Sequence, residues 1–407
     1  MKNRKLLRAM SLIFALLLVA SSAVVVVPFS ASAADANVVE INTVDDLYAF
    51  ANNAEAKGYY AGMTVKLNVD IDLEGCPAWA PVAQFKGTFD GNGKTIKNLK
   101  IEGATTDLAF IKVLDGATVK NFRLEGSVTQ NAGNGVVAVL AARTSGAAVT
   151  IDNVYVGGTI STVAGNTNNF RDAGFVAYVA VDTTIKNSVS AVNIVSGYKA
   201  STGFVGATHI GTTLTLTDCA FIGNIDASVN VESGAFIGRV GGNINMTRCL
   251  KLGFADDQTG RYAGVFMYFD NKAFEGSETW TAPTINIVDC YTTQAVDGTI
   301  VVGDHGGRAT NLYNLNIKYG NDTVYTYAVA DGNKKEIYKE ASAAVKLLAN
   351  KDGATVTKDN FATTCPGFTN WVVTNDTVKY QVDVLTDGVV TTEGKTVPVI
   401  VPKGITE

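Results

Sequence analysis

Few side chains in this 407-residue sequence have the type and spacing that chemistry needs. There are two histidines, which leaves little material for a histidine metal centre or a Ser-His-Asp arrangement. The five cysteines are Cys76, Cys219, Cys249, Cys290 and Cys365. Their number is odd, their spacing is wide and no C-x-x-C occurs, so neither a disulfide framework nor a zinc site is indicated. Asp256-Asp257 and Asp304-His305 are the material for acid–base hydrolysis, which places two carboxyl groups about one scissile bond. The acid pair and the histidine lie 48 positions apart, however, and adjacent residues of a strand point to opposite faces. No catalytic residue, metal ligand or cofactor is therefore assigned. Between Met267 and Ile285 the aromatics Tyr268, Phe269, Phe274 and Trp280 are mixed with Asp270, Asn271, Lys272, Glu275 and Glu278. A flat ring beside polar groups suits the apolar face and hydroxyl rim of a sugar, so Tyr268, Phe274 and Trp280 are the candidate ligand-binding residues. The competing reading is that these rings fold back over their own segment.

These residues are set in a repeat. A small residue followed by Phe or Val and further apolar residues recurs at Phe110, Val139, Phe175, Phe204, Phe236 and Phe266, spaced 29, 36, 29, 32 and 30 apart. A second phrase, apolar–polar–Asn/Asp/Arg, ends at Asn121, Asn153, Asn187, Asp218, Arg248 and Asp289, spaced 32, 34, 31, 30 and 41. The last interval carries roughly ten extra residues, the aromatic segment above. Short Val-, Ile- and Thr-rich runs separated by Gly and Asn suit three strands and three corners per repeat. No stretch shows the long 3.6-residue periodicity that helical repeats need. Strands of this kind bury themselves by stacking coil on coil, which predicts an all-β fold, a right-handed parallel β-helix. Asn and Asp fall at corners, where they tolerate left-handed backbone. Phe122, Val154, Ser188, Cys219, Cys249 and Cys290 then point inward, three cysteines in one buried column. Asp90-Gly91-Asn92-Gly93 reads as a tight turn between strands rather than a cation or sugar site.

The ends differ from the repeat. Thr43 is placed to cap a helix with Asp46 three residues on, as in a capping box, with Leu47, Phe50 and Ala51 apolar. Thr64 to Leu73 alternates, with Val65, Leu67, Val69 and Ile71 expected on one face. Lys335 to Ala349 reads as a second helix. At the very start Lys2, Arg4, Lys5 and Arg8 precede an apolar run from Ala9 to Phe29 and then Ala31-Ser32-Ala33, the pattern of an export signal cleaved after Ala33. An uncleaved anchor is the competing reading. Cleavage takes the net charge from −5 to −9. Hydrophobic residues make up 47% of the chain, so a large core is available, and no basic stripe follows residue 8 to suit nucleic acid. The expected division is a signal peptide over 1–33, an N-terminal cap over 34–63, the parallel β-helix over 64–320, a small C-terminal cap over 321–380 and a tail over 381–407. A monomer with no membrane span after cleavage is expected.

Asp70-Ile71-Asp72-Leu73, Trp79-Ala80-Pro81-Val82 and the run from Phe85 through Asp90-Gly91-Asn92-Gly93 to Asn98-Leu99 resemble the opening of a known group. These are secreted, adhesin-like right-handed β-helix proteins with GLUG-type repeats from anaerobic gut bacteria. Gly174-Phe175-Val176-Ala177 and Gly203-Phe204-Val205-Gly206 resemble the repeat itself, and Phe361 to Trp371 resembles a common ending. The resemblance implies a secreted or surface-exposed binding module with glycans or surface proteins as partners, and supplies no catalytic residue. The alternative is a polysaccharide-degrading β-helix hydrolase or lyase. Asp256-Asp257, Gly303-Asp304-His305-Gly306 and Ile317-Lys318 resemble, faintly, the motif order of polygalacturonase-like enzymes.

Overall fold

The computed structural model describes residues 37–131, 135–162, 171–195, 200–226, 233–255, 263–269, 282–292, 300–304, 313–327, 356–386 and 389–405. The chain divides into Met1–Val38 and Val39–Glu407, and the solenoid lies wholly in the second unit. The export signal, the helix expected over 335–349 and most of the aromatic insertion lie outside the described residues.

The repeat winds into a parallel β-helix with three stacks of strands. In the first stack Val65 pairs with Phe89, Phe89 with Val119, Val119 with Ile151 and Ile151 with Ile185. The same column continues through Leu216, Met246 and Ile287 to Ile317. Every one of these side chains is fully buried. Their neighbours along the strand face outward and, Val288 apart, are polar, the period-two alternation of a sheet with one face in the core. The second stack follows each Asn corner, and in three coils one strand runs straight through: Thr88–Gly103, Thr118–Gln130 and Val149–Thr162. The third stack is a separate sheet built from pairs such as Val176 with Val205 and Val205 with Ile237.

The corner residues adopt left-handed backbone. Asn92, Asn121, Asn153, Asn187, Asp218, Arg248 and Asp289 have φ between 48° and 58°. Asn and Asp pay little for this conformation, and here their side chains also tie coil to coil. Asn121 Nδ2 donates to Asp90 Oδ1 at 3.2 Å, Asn153 Nδ2 to Asn121 Oδ1 at 3.1 Å and Asn187 Nδ2 to Asp152 Oδ1 at 2.7 Å. Arg248 breaks the pattern and reaches back as a fork to Asp218 at 2.6 and 2.7 Å. The Asp90–Gly93 turn is the first member of this corner series. A Cβ at Gly91 would lie 1.8 Å from Phe122 Cβ, so only glycine lets the next coil stack there.

The residues after the corner point inward as expected; Phe122, Val154, Ser188, Cys219, Cys249 and Cys290 are all fully buried. Ser188 Oγ donates to the Lys186 carbonyl at 2.6 Å. Cys219, Cys249 and Cys290 direct their thiols at the carbonyls of Thr217, Thr247 and Val288, at 3.5, 3.7 and 3.4 Å. The thiol thus takes the place of a serine hydroxyl, satisfying the carbonyl two residues earlier where the chain turns. All five cysteines are free, and burial pushes the Cys249 and Cys290 thiols well above their ordinary range.

Helix Val44–Asn52 begins as the sequence predicts. Thr43 Oγ1 accepts from Asp46 N at 3.1 Å, and Asp46 Oδ2 accepts from Asn42 N at 3.0 Å. Its Phe50 ring contacts Tyr60, Phe85, Phe89 and Phe110, so the helix is packed onto the aromatic start of the core. Trp79 stacks on Phe110 and donates Nε1 to the Phe110 carbonyl at 2.9 Å. One expectation is corrected. Val65, Leu67 and Ile71 are buried, but Val69 is 38% exposed. The chain makes two strands, Thr64–Leu67 and Ile71–Asp72, and the break between them is a coil corner that turns Val69 outward.

At the other end the strand Asp322–Tyr327 folds back antiparallel on Asn314–Tyr319. The remaining described residues form the short helix Phe361–Thr364 and a long antiparallel hairpin, Trp371–Thr386 with Val389–Pro402. Position 380, where the sequence suggests a division between cap and tail, falls inside the first strand of this hairpin. Phe361, Phe368, Trp371, Tyr380 and Ile400 pack against Tyr155, Val189, Ala220, Ile222, Leu250 and Leu252 on the outer wall of the second stack. Hydrophobic outward residues on that wall are therefore covered by the hairpin. No helix among the described residues is long and apolar enough to cross a membrane.

Candidate functional site

The outer wall of the second stack carries a groove where the strands pucker. The register of Thr88–Gly103 against Thr118–Gln130 shifts between Ile96 and Leu99, and Asn98 sits at φ 58°. Leu99, Gly126 and Gly158 then lie one above another. A Cβ on Gly126 would stand 2.3 Å from the Leu99 carbonyl oxygen, and one on Gly158 1.8 Å from that of Gly126. Backbones can approach this closely only without side chains, so the floor of the groove is bare peptide. Its volume is about 720 Å³, and Glu74, Cys76, Lys97, Lys100, Glu125, Ser127 and Thr159 are among its walls.

Ion pairs border those walls. Asp72 accepts from Asn98 Nδ2 at 2.7 Å and Glu74 N at 3.0 Å, and meets Lys97 Nζ at 3.0 Å. The Asn98 and Glu74 hydrogen bonds, with Lys97, lower the Asp72 carboxyl to about 2. Lys100 pairs with Glu102 at 3.0 Å. Arg123 donates to Glu125 at 2.7 Å, and its guanidinium lies 4.4 Å from the centre of the Tyr155 ring. Tyr155 belongs to the cluster beneath the C-terminal hairpin, so Arg123 links the groove to that covered wall. Gly157 keeps room for both partners, since a Cβ there would come within 2.9 Å of Tyr155 and 3.4 Å of Glu125.

Such walls offer ammonium donors, carboxylate acceptors and hydroxyls around an exposed peptide floor. That arrangement can exchange hydrogen bonds with a polyhydroxylated ligand. Among the described residues the Asp172 carboxyl is pushed well upward, and it is sealed in the core. Burial is the cause, and Ser201 Oγ at 3.4 Å opposes it only weakly. On the third stack Arg143 forks onto Asp107 at 2.9–3.1 Å, and Arg143 and Arg171 lie 5.8 and 5.0 Å from the Tyr178 ring. That ring is already engaged by guanidinium groups.

Of the candidate ligand-binding residues, Phe274 and Trp280 lie outside the described residues. Tyr268 lies in strand Ala263–Phe269, which pairs with Ile237–Val240, and its side chain is outside the description. Asp256 and Asp257 also fall outside it. The groove escaped the sequence reading because its residues come from four coils. The signal that could have found it is Gly126 and Gly158, 32 positions apart, at the same place in successive coils.

No family model matches the chain, and no curated protein matches it. Among solved structures it is similar to one titled "a putative immunoglobulin A1 protease from Bacteroides ovatus". The TM-score is 0.40 at 15% identity, covering 65% of this chain and 73% of that one. No activity is carried across from that likeness.

Proposed function

We propose that the protein is a secreted or cell-surface β-helix module that binds glycans without catalysis, in the manner of an adhesin. The observation that carries this reading is the polar groove over the Gly126–Gly158 floor, bordered by the ion-paired side chains Lys97, Lys100 and Glu125. The resemblance of the Asp70–Leu99 segment to secreted adhesin-like proteins supports the location. The export-type start of the chain agrees with it.

The test is titration with soluble neutral and acidic oligosaccharides, chosen from a glycan array, followed by chromatography of each sugar. Thr159→Lys, which fills the groove, and Glu125→Gln are expected to weaken binding at least tenfold with unchanged melting temperature. Binding that ignores both substitutions overturns the groove, and shortening of the oligosaccharide overturns the non-catalytic reading.

A further inference from the structure

The outer face of the first stack changes character along the solenoid. On the early coils it carries alternating charges that neutralise one another, Asp90 with Lys120 at 3.3 Å and Asp152 with Lys186 at 3.2 Å. From Thr213 onward the strands read Thr-Leu-Thr-Leu-Thr, Asn-Ile-Asn-Met-Thr, Thr-Ile-Asn-Ile-Val and then Asn-Leu-Asn-Ile. Leu214, Leu216, Ile244, Met246, Ile285, Ile287, Leu315 and Ile317 are fully buried, so hydroxyls and amides dominate the outer face, with half-buried Val288 beside exposed Lys318 at its far edge. The strands are in register, with Thr215 over Asn245, Asn245 over Asn286 and Asn286 over Asn316. The result is a two-dimensional lattice, about 4.8 Å from coil to coil and about 6.6 Å between alternate residues of a strand.

The lattice is also fixed. Asn286 Nδ2 donates to Asn245 Oδ1 at 2.9 Å, and Asn316 Nδ2 donates to Asn286 Oδ1 at 2.9 Å. Each such bond uses one amide hydrogen and one oxygen lone pair, so the middle residue, Asn286, keeps one of each facing outward. Thr215 and Asn286 are half-buried between their neighbours, and their rotamers are constrained on folding.

We propose that the hydroxyl- and amide-bearing face of strands Thr213–Thr217, Asn243–Thr247, Thr284–Val288 and Asn314–Tyr319 docks on an ordered, uncharged polysaccharide surface. One exposed hydrogen bond exchanged with water contributes little. A flexible oligosaccharide would collect few of them and lose conformational freedom in doing so. A rigid partner with its own hydroxyl repeat engages many at once with little further ordering, as in multivalent binding. The absence of charge from the outward side chains of the two middle strands fits a neutral polymer. This surface is distinct from the groove, and either assignment stands without the other.

The experiment is cosedimentation of the full chain with microcrystalline cellulose and with α-chitin. Expected is retention on at least one of them, with no release by millimolar cellohexaose or chitohexaose. The double variant Thr215→Lys/Asn286→Lys is expected to lose retention at least tenfold. Should it fold poorly, Thr215→Val/Thr217→Val keeps shape and strand preference while deleting hydroxyls, and is expected to lose retention several-fold at an unchanged melting temperature. Thr159→Lys in the groove is expected to leave retention intact. Failure of the parent protein to sediment with either polymer overturns the proposal. So does equal retention of the folded variants, or release by the soluble hexasaccharides, which would return binding to the groove.

Discussion

The interior aromatic ladder shows how much one side chain carries. Phe175 and Phe204 stack with centroids 4.7 Å apart and planes 3° from parallel, Phe204 and Phe236 follow at 5.1 Å, and Phe236 and Phe266 at 5.9 Å. Phe204 has a ring on each side, so Phe204→Ala is expected to cost about 3–5 kcal/mol through lost burial and an unfilled cavity, measured by denaturant melts. Asp172 works in the opposite sense. Its folded-state carboxyl is pushed well above the unfolded value of about 3.9, so the folded protein holds a proton that the unfolded chain releases. Stability therefore falls as pH rises above about 4, until the folded group itself ionises. Asp172→Asn removes that slope. The variant is expected to gain on the parent as pH rises above about 4, with the smallest difference at the acid end and no further gain once the folded carboxyl ionises, in melts followed across pH.

Corners and caps set the geometry of each coil. Asn153 holds left-handed backbone at φ 58° while its amide reaches Asn121 and, at 3.2 Å, the Lys403 carbonyl. A β-branched side chain there meets the backbone, so Asn153→Val is expected to cost about 1–2 kcal/mol from conformation alone, with the lost hydrogen bonds in addition. Asn153→Gly relieves the first cost and not the second, so comparing the two variants by thermal melts separates them. Arg248 occupies the same corner without Asn's local hydrogen bonding, and its fork onto Asp218 supplies the anchoring instead.

Within the unit Val39–Glu407, solenoid and hairpin are bound by a shared apolar layer. Tyr380 donates to the Ile222 carbonyl at 3.1 Å, Tyr291 meets Phe368 edge-on at 6.0 Å, and Asn370 Nδ2 donates to Asn187 Oδ1 at 2.9 Å. Ending the chain after residue 355 would bare the wall formed by Val189, Ala220, Ile222, Leu250 and Leu252. An exposed apolar patch of that kind promotes association. The shortened protein is expected to keep a strand-type circular dichroism spectrum, bind a hydrophobic dye strongly and form oligomers in light scattering.

The sequence by itself determined the coil. Its thirty-residue period, the Asn and Asp corners, the inward Phe ladder and the inward column from Phe122 to Cys290 were all legible, because each depends on local alternation and on what one position can accept. So was the Thr43 cap, whose partners are three and four residues away. What the tertiary structure decided lies between coils or between distant segments. Val69 faces outward because the corner falls just before it, which alternation alone does not reveal. The groove exists because Leu99, Gly126 and Gly158 come into register at a pucker, and a glycine shows its purpose only when the backbone it must admit is known. The hairpin's destination could not be read either. Trp371 and Tyr380 announce a buried face, but the wall they cover is assembled from four different coils, and apolar burial is non-directional, so composition names no partner.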